Sequence, residues 1–178
     1  MSAALIFLVL FMKKFPVVYR YLLAFGSNLG DREQNLKTGL ALLKKYLTVT
    51  AETPCYETEP LRSPLYRTED QGCYLNFVCE ARSLYPPCAL YMRIAGIEDT
   101  IGHPRSQRWL SRQIDIDILF CALGNDVHFK NCDPFRVFLP PHFFVPHQDY
   151  LNRSFLRKMV EKDLGIPRYF LMKHFCKK

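Results

Sequence analysis

The sequence predicts an α+β domain, an antiparallel sheet with helices packed on it. Three observations carry that expectation. Apolar runs with the period of a strand occur near residues 17–25, 48–57, 73–81 and 111–120, and two stretches with helical features separate them. The resulting order, β-α-β-β-α-β, has too little strand–helix alternation for a doubly wound parallel sheet and fits a ferredoxin-like sandwich. A chain of 178 residues, 49% hydrophobic and 23% charged, also suffices for one core and not comfortably for two.

Each element has its own reason. VVYRYLLAF (17–25) is rich in β-branched and aromatic residues and reads as a buried strand ending in GSNLGD. Asp31 offers an N-cap, and Leu36, Leu40, Leu43 and Leu47 follow at helical spacing. Ser27 and Asn28 have a plain reading as further caps of that helix. Residues 48–57 read as one second strand, and residues 59–72, polar with two prolines, as a long loop. CYLNFVCEA (73–81) reads as a third strand antiparallel to the second. Pro86 and Pro87 suit the start of a helix running to Ile101, with Gly96 a weak point. GHPRSQRWL (102–110) is a basic loop, residues 135–146 carry three prolines and read as extended, and 152–164 reads as a final helix. The domain expected is 17–165, preceded by an apolar extension (1–16) and followed by a basic tail (166–178).

Lys and Arg outnumber Asp and Glu by 24 to 17, for a net charge of +7. That suits a polyanionic partner such as nucleotide phosphates, nucleic acid or an acidic membrane surface. The seven cysteines are odd in number and form no C-x-x-C pair, which points to a reducing, cytoplasmic setting and away from disulfides or structural zinc. MSAALIFLVLFM at the start is too short for a membrane-spanning helix, which needs about 20 residues. It also lacks the basic flank of a signal peptide. No membrane attachment is expected.

The stretch SRQIDIDILF (111–120) holds the candidate chemistry. Ile114, Ile116, Ile118 and Phe120 alternate with Asp115, Asp117 and Leu119, so the two aspartates share a strand face about 7 Å apart. They have a plain reading as the wet face of an edge strand. The neighbouring Arg105, Arg108 and Arg112 favour another. Paired carboxylates bracket Mg²⁺, which takes one or two carboxylates plus substrate phosphates, and arginines grip phosphate oxygens. That combination is phosphoryl-transfer chemistry without a P-loop, whose pattern is absent.

RWLSRQIDIDIL (108–119) resembles the R-W-G-P-R-x-x-D-x-D-I signature of the 6-hydroxymethyl-7,8-dihydropterin pyrophosphokinases (HPPK), enzymes of folate biosynthesis. Three further pieces are similar to that family in order: AFGSNLGD (24–31), Tyr74-Leu75-Asn76, and Pro146-His147 with Arg153 and Phe155 at the P-H-x5-R-x-F spacing. The resemblance implies transfer of pyrophosphate from ATP to the pterin's hydroxymethyl oxygen, a ferredoxin-like fold and two Mg²⁺ ions. It implies Asp115 and Asp117 as metal ligands, catalytic together with Arg112. It places Thr58, Leu61, Tyr74, Asn76, Trp109 and Phe155 around the pterin, and Glu98, Arg105, Arg112, His147 and Arg153 on ATP. It implies loops 59–72 and 102–110 as covers that keep water from ATP, and a dihydropteroate synthase as a downstream partner.

The chain departs from the family at Leu110-Ser111 in place of Gly-Pro, at His103 in place of arginine, at Ala95 in place of glutamine and at Glu59 in place of proline. Two rival readings follow: a catalytically impaired relative that acts as a partner or pterin binder, and an RNA-binding domain of the same topology. The second lacks an RNP-like run and would set two carboxylates against phosphates, so no nucleic acid is expected.

Overall fold

The computed structural model describes residues 17–60, 71–102, 110–139 and 143–172. The elements in chain order are β1 (Tyr19–Ser27), α1 (Arg32–Leu43), β2 (Thr48–Glu52), β3 (Tyr56–Thr58), β4 (Tyr74–Ser83), α2 (Pro87–Ile101), β5 (Asp115–Leu123), β6 (Asp133–Phe135), β7 (Val137–Leu139), β8 (Phe143–Val145), α3 (Asp149–Asn152), α4 (Ser154–Lys158) and α5 (Arg168–Met172). The expected apolar extension, Leu61, Arg105 and Trp109 lie outside the described residues, as does most of both covering loops.

Apolar residues fill β1 on both of its faces, so it can only be a central strand. It pairs antiparallel with β4 on one edge and β5 on the other, and β2 and β6 continue the sheet outward. β3 is a short addition to β4 beyond β2. Every pairing is antiparallel, and the order β2-β4-β1-β5 is that of a ferredoxin-like sandwich with extra edges.

One face of the sheet carries Tyr21, Leu23 and Phe25 of β1, Phe77 and Cys79 of β4, and Ile116 and Ile118 of β5. Against it pack Leu36 and Leu43 of α1 and Leu90, Ile94 and Ile97 of α2. Each such fully buried side chain contributes about 1.5–3 kcal/mol. Asp31 caps α1 by accepting the Gln34 N–H at 3.0 Å. Gly102 ends α2 at φ 123°, which an L side chain rarely adopts. Gly96 is carried within α2 without a break.

The described residues cover the opposite face along only part of its length. Leu22, Val78, Phe120 and Ala122 meet Phe129, Tyr150, Leu156, Met159 and Val160 there. Ile166 and Leu171, within the stretch expected as a tail, are buried in the same cluster. Among the described residues, no helix is long and apolar enough to cross a membrane.

Three elements depart from the sequence reading. Residues 48–57 form two strands because Thr53 Oγ1 takes the Val78 N–H at 3.0 Å, replacing a ladder bond just before Pro54. The last helix is one turn of α4 followed by a π-helical turn (Met159–Asp163), and Gly165 with φ 63° follows it. Phe120 lies on the aspartate face. In β5, Leu22 pairs with Phe120 and Leu23 with Ile118, so Leu119 is an extra residue that inverts the alternation after it.

Candidate active site

The uncovered part of the second face is a small grid set by strand register. One row across four strands runs Tyr56, Asn76, Gly26, Asp115; the next runs Val78, Ala24, Asp117. Residues directly opposite in an antiparallel pair share a face, and so do residues two apart on a strand. Tyr74 and its partner Thr58 therefore complete the grid above Asn76. Gly26 and Ala24 give the middle strand almost no side-chain height, so the grid is a trough with β4 on one side and the aspartates of β5 on the other.

On the β4 side, Asn76 is buried and its Nδ2 donates to Thr58 Oγ1 at 2.8 Å. That bond fixes which edge of the amide points into the trough. A Cβ on Gly26 would stand 2.9 Å from Asn76 Oδ1 and 3.5 Å from the Tyr74 ring, so only glycine leaves this space. Burial raises the Tyr74 hydroxyl pKa, keeping it neutral, with Arg112 and Arg153 close enough to oppose the shift. Tyr56 anchors the outer end of the row: its hydroxyl hydrogen-bonds Asp163 Oδ2 at 2.9 Å, and Lys158 Nζ sits 4.3 Å from its ring centre. Phe155 is partly buried against the second core, as Tyr56 is.

On the β5 side each aspartate faces a basic side chain. Arg112 Nη1 donates to Asp115 Oδ1 at 2.8 Å, and His147 Nε2 lies 3.6 Å from Asp117 Oδ1. Burial disfavours the Arg112 charge, but Asp115, Tyr74 and Asp117 outweigh it and push its pKa above the ordinary value. The bulge explains where His147 sits. Leu119 has no partner in β1, and its carbonyl accepts the His147 N–H at 2.9 Å, bringing the histidine alongside Asp117.

Glu98 is placed differently from the other expected nucleotide contacts. It is buried, and its Oε1 accepts the Ile116 N–H at 2.8 Å on the edge of β5 away from β1. It meets the site through the backbone between the two aspartates. The structure thus brings together Thr58, Tyr74, Asn76, Arg112, Asp115, Asp117, His147 and Arg153. Gly26, Tyr56 and Asn28 belong to the same site although the sequence reading gave them no part in it. Only the register of three strands reveals Gly26, since a single strand carries no sign of what stands beside it.

The donor set fits Mg²⁺. Two partly exposed carboxylates sit in adjacent rows with the single imidazole of His147 beside them, and no group of three or more His, Cys, Asp or Glu able to hold a metal ion occurs among the described residues. A cage of protein ligands would suit zinc or calcium, whereas a carboxylate pair left open for phosphate oxygens and water suits magnesium.

Comparison with known proteins agrees. The family model described as 7,8-dihydro-6-hydroxymethylpterin-pyrophosphokinase (HPPK) matches residues 22–162. The 2-amino-4-hydroxy-6-hydroxymethyldihydropteridine pyrophosphokinase of Aquifex aeolicus is 34% identical over 147 residues, 83% of each chain. The protein of the same name in Bacillus subtilis is 38% identical over 99 residues, 54% of this chain and 56% of that one. The folate synthesis bifunctional protein of Arabidopsis thaliana is 32% identical over 133 residues, 73% of this chain but 26% of its own length. With a family match running from the middle of β1 into the π-helical turn, and a grid of the right chemistry inside it, the chain belongs to the HPPK family of folate-synthesis enzymes, ATP-dependent pyrophosphoryl transferases acting on 6-hydroxymethyl-7,8-dihydropterin.

Proposed function

We propose that this chain performs the transfer in the trough between Asn76 and the aspartate pair. The observation that carries this reading is the single row Asn76–Gly26–Asp115, which sets a hydrogen-bonding amide and a carboxylate on either side of a residue with no side chain. A flat heteroaromatic substrate needs such a slot: a bare floor, a ring or two beside it and one or two placed polar groups. The pterin lies over Gly26, its polar edge on Asn76, between Tyr74 and Phe155. Its hydroxymethyl group points across the row toward Asp115.

ATP occupies the other side. Arg112, Arg153 and His147 are placed to hold its phosphates, and Asp115 and Asp117 hold two Mg²⁺ ions. Magnesium supplies charge neutralisation and alignment of the phosphate chain. The pterin oxygen attacks the β-phosphorus, the bond from that phosphorus to the bridging oxygen of the α-phosphate breaks, and AMP leaves while the hydroxyl proton is lost to solvent. Arg112 would give up its bond to Asp115 and take phosphate oxygens as ATP binds. Positioning and charge do the work, as is usual in phosphoryl transfer. Relatives fused to other folate enzymes support a downstream synthase as partner, and the six free cysteines among the described residues support a reducing compartment.

The experiment is AMP formation from ATP, Mg²⁺ and the pterin, with Asp117→Ala as the comparison. The expected outcome is pterin-dependent AMP that falls about 10³-fold in the variant, the loss typical of removing one transition-state stabiliser. Pterin binding without AMP in the unmodified chain would favour the impaired relative, and full activity in the variant would refute the site.

A further inference from the structure

One plain reading of Asn28 in the sequence is a further cap of α1, and in the structure it is not one. Asp31 caps the helix, leaving Asn28 buried for another task. Its main-chain N–H donates to the Arg112 carbonyl at 3.1 Å, and its side-chain Oδ1 accepts the Arg112 N–H at 2.7 Å. Two antiparallel strand residues exchange bonds in just this way, except that a side-chain oxygen here replaces a main-chain one. The substitution lets the backbone turn away toward α1 while Arg112 stays paired to the end of β1. The other half of the amide faces outward from the strand. Nδ2 lies 3.4 Å from the Gly72 carbonyl, 3.4 Å from Ser111 Oγ and 3.5 Å from Gln71 Oε1, long contacts shared among three acceptors. Four residues on, Arg32 repeats the pattern with Nη1 on the Cys73 carbonyl at 2.6 Å and Nη2 on Glu57 Oε2 at 2.9 Å.

We infer that Asn28 is a positioning residue for the transfer: it fixes the main chain of Arg112, and so the reach of its guanidinium over Asp115, and ties Gly72 and Ser111 to the same point. The inference rests on the assignment of Arg112 and Asp115 to the phosphate and metal side of the site. The tight bond, 2.7 Å to the Arg112 N–H, bears the function; the long ones set the neighbours' place around it. Only an amide or carboxylate of this length reaches the Arg112 nitrogen. Serine is too short, and glutamine would press its extra methylene into buried surroundings.

The test compares Asn28→Ala, Asn28→Asp and the cap variant Asp31→Ala in the AMP assay, with hydrogen exchange on the free chain. Asn28→Ala is expected to lower kcat about 10²-fold, the scale of a misplaced catalytic group, with the pterin KM within twofold. The Arg112 amide loses protection in that variant. Asn28→Asp keeps the acceptor, so it keeps that amide protected and restores at least tenfold of the loss. Asp31→Ala lowers the melting temperature with kcat unchanged, showing what a merely structural loss looks like. Because Asn28 acts through Arg112, the double variant Asn28→Ala/Arg112→Ala should be no slower than Arg112→Ala alone. Additive losses, or an Asn28→Ala kcat within threefold of the parent, would overturn the proposal. Should Asp117→Ala or Arg112→Ala keep full activity in the same assay, the site assignment itself fails. If both lose activity while Asn28→Ala keeps it, only the role of Asn28 fails.

Discussion

The second face of the sheet carries a buried arginine at one end, and a partly exposed one stands at the other. At the covered end, Arg20 of β1 and Glu80 of β4 are buried under the segment from Phe129 onward and the C-terminal turns. Glu80 Oε1 takes the Phe129 N–H at 2.6 Å, while Arg20 Nε and Nη1 have no hydrogen-bond partner. At the open end, Arg112 and Asp115 form a well-made 2.8 Å pair that remains partly exposed. Elements of one sheet produce both: β1 and β4 the first, β5 and the residues just before it the second. What differs is cover: where the C-terminal segments lie on the sheet, charge holds structure together, and where they stop, charge is free to change partners. Under the proposed function, exposure and room to move are what separate the two ends, since geometry alone would not.

The comparison predicts opposite consequences for two chemically identical changes, and these are the largest effects expected. Arg112→Met should leave thermal stability almost intact and lower kcat about 10²–10³-fold, because its partner Asp115 can be solvated. Arg20→Met should do the reverse. Removing the buried guanidinium takes away the charge that opposes the Glu80 pKa shift, a loss of about 3 kcal/mol, yet the folded fraction should keep its kcat within twofold. Urea denaturation and AMP formation on both variants decide it. If Arg20→Met slows turnover beyond its folded fraction, the two ends are coupled and the division drawn here is wrong.

A smaller effect sharpens the boundary of the open end. Gly26→Ala adds one methyl group 2.9 Å from Asn76 Oδ1, too close to stay without a shift. The amide must rotate off Thr58 or β1 must move. The expected result is a pterin KM raised about 10-fold or more, with the ATP KM unchanged, since a displacement near 1 Å carries such costs. Equal increases in both would mean that the floor of the trough serves both substrates.

Much of this arrangement was readable in the chain. Asp115 and Asp117 had to share a face because a strand has period two, and Tyr74 and Asn76 for the same reason. Asp31 was a good cap by its chemistry and position, and the two helices followed from leucine spacing and proline placement. The rest was hidden because it depends on pairs of distant residues. Leu119 looks like any other apolar strand residue, and only its unpaired register makes its carbonyl available to His147. Glu98 stands at helical spacing from Leu90 and Ile94, and nothing local shows that its carboxylate meets the Ile116 N–H. Thr53 splits the second strand by lending its hydroxyl to Val78, a competition between side chain and backbone that local pattern does not show. Short-range periodicity fixed which faces residues take, and long-range hydrogen bonds fixed what they do there.

The smallest effect concerns pH and returns to the covered end. Burial raises the Glu80 pKa, against the opposing pull of the Phe129 N–H and of Arg20. A carboxyl with a raised folded pKa holds its proton to higher pH in the native state than in the unfolded chain, where the value is about 4.3. Its contribution to stability is therefore complete below that pH and is lost as the pH rises through the folded value. Glu80→Gln removes the titration while keeping an acceptor for Phe129. Measured by urea midpoint, the difference between parent and variant should move in favour of glutamine from pH 4 to pH 7. A difference that stays constant with pH, or moves toward glutamate, would mean that Arg20 compensates the buried carboxylate in full, and that the covered end holds a finished ion pair rather than a strained one.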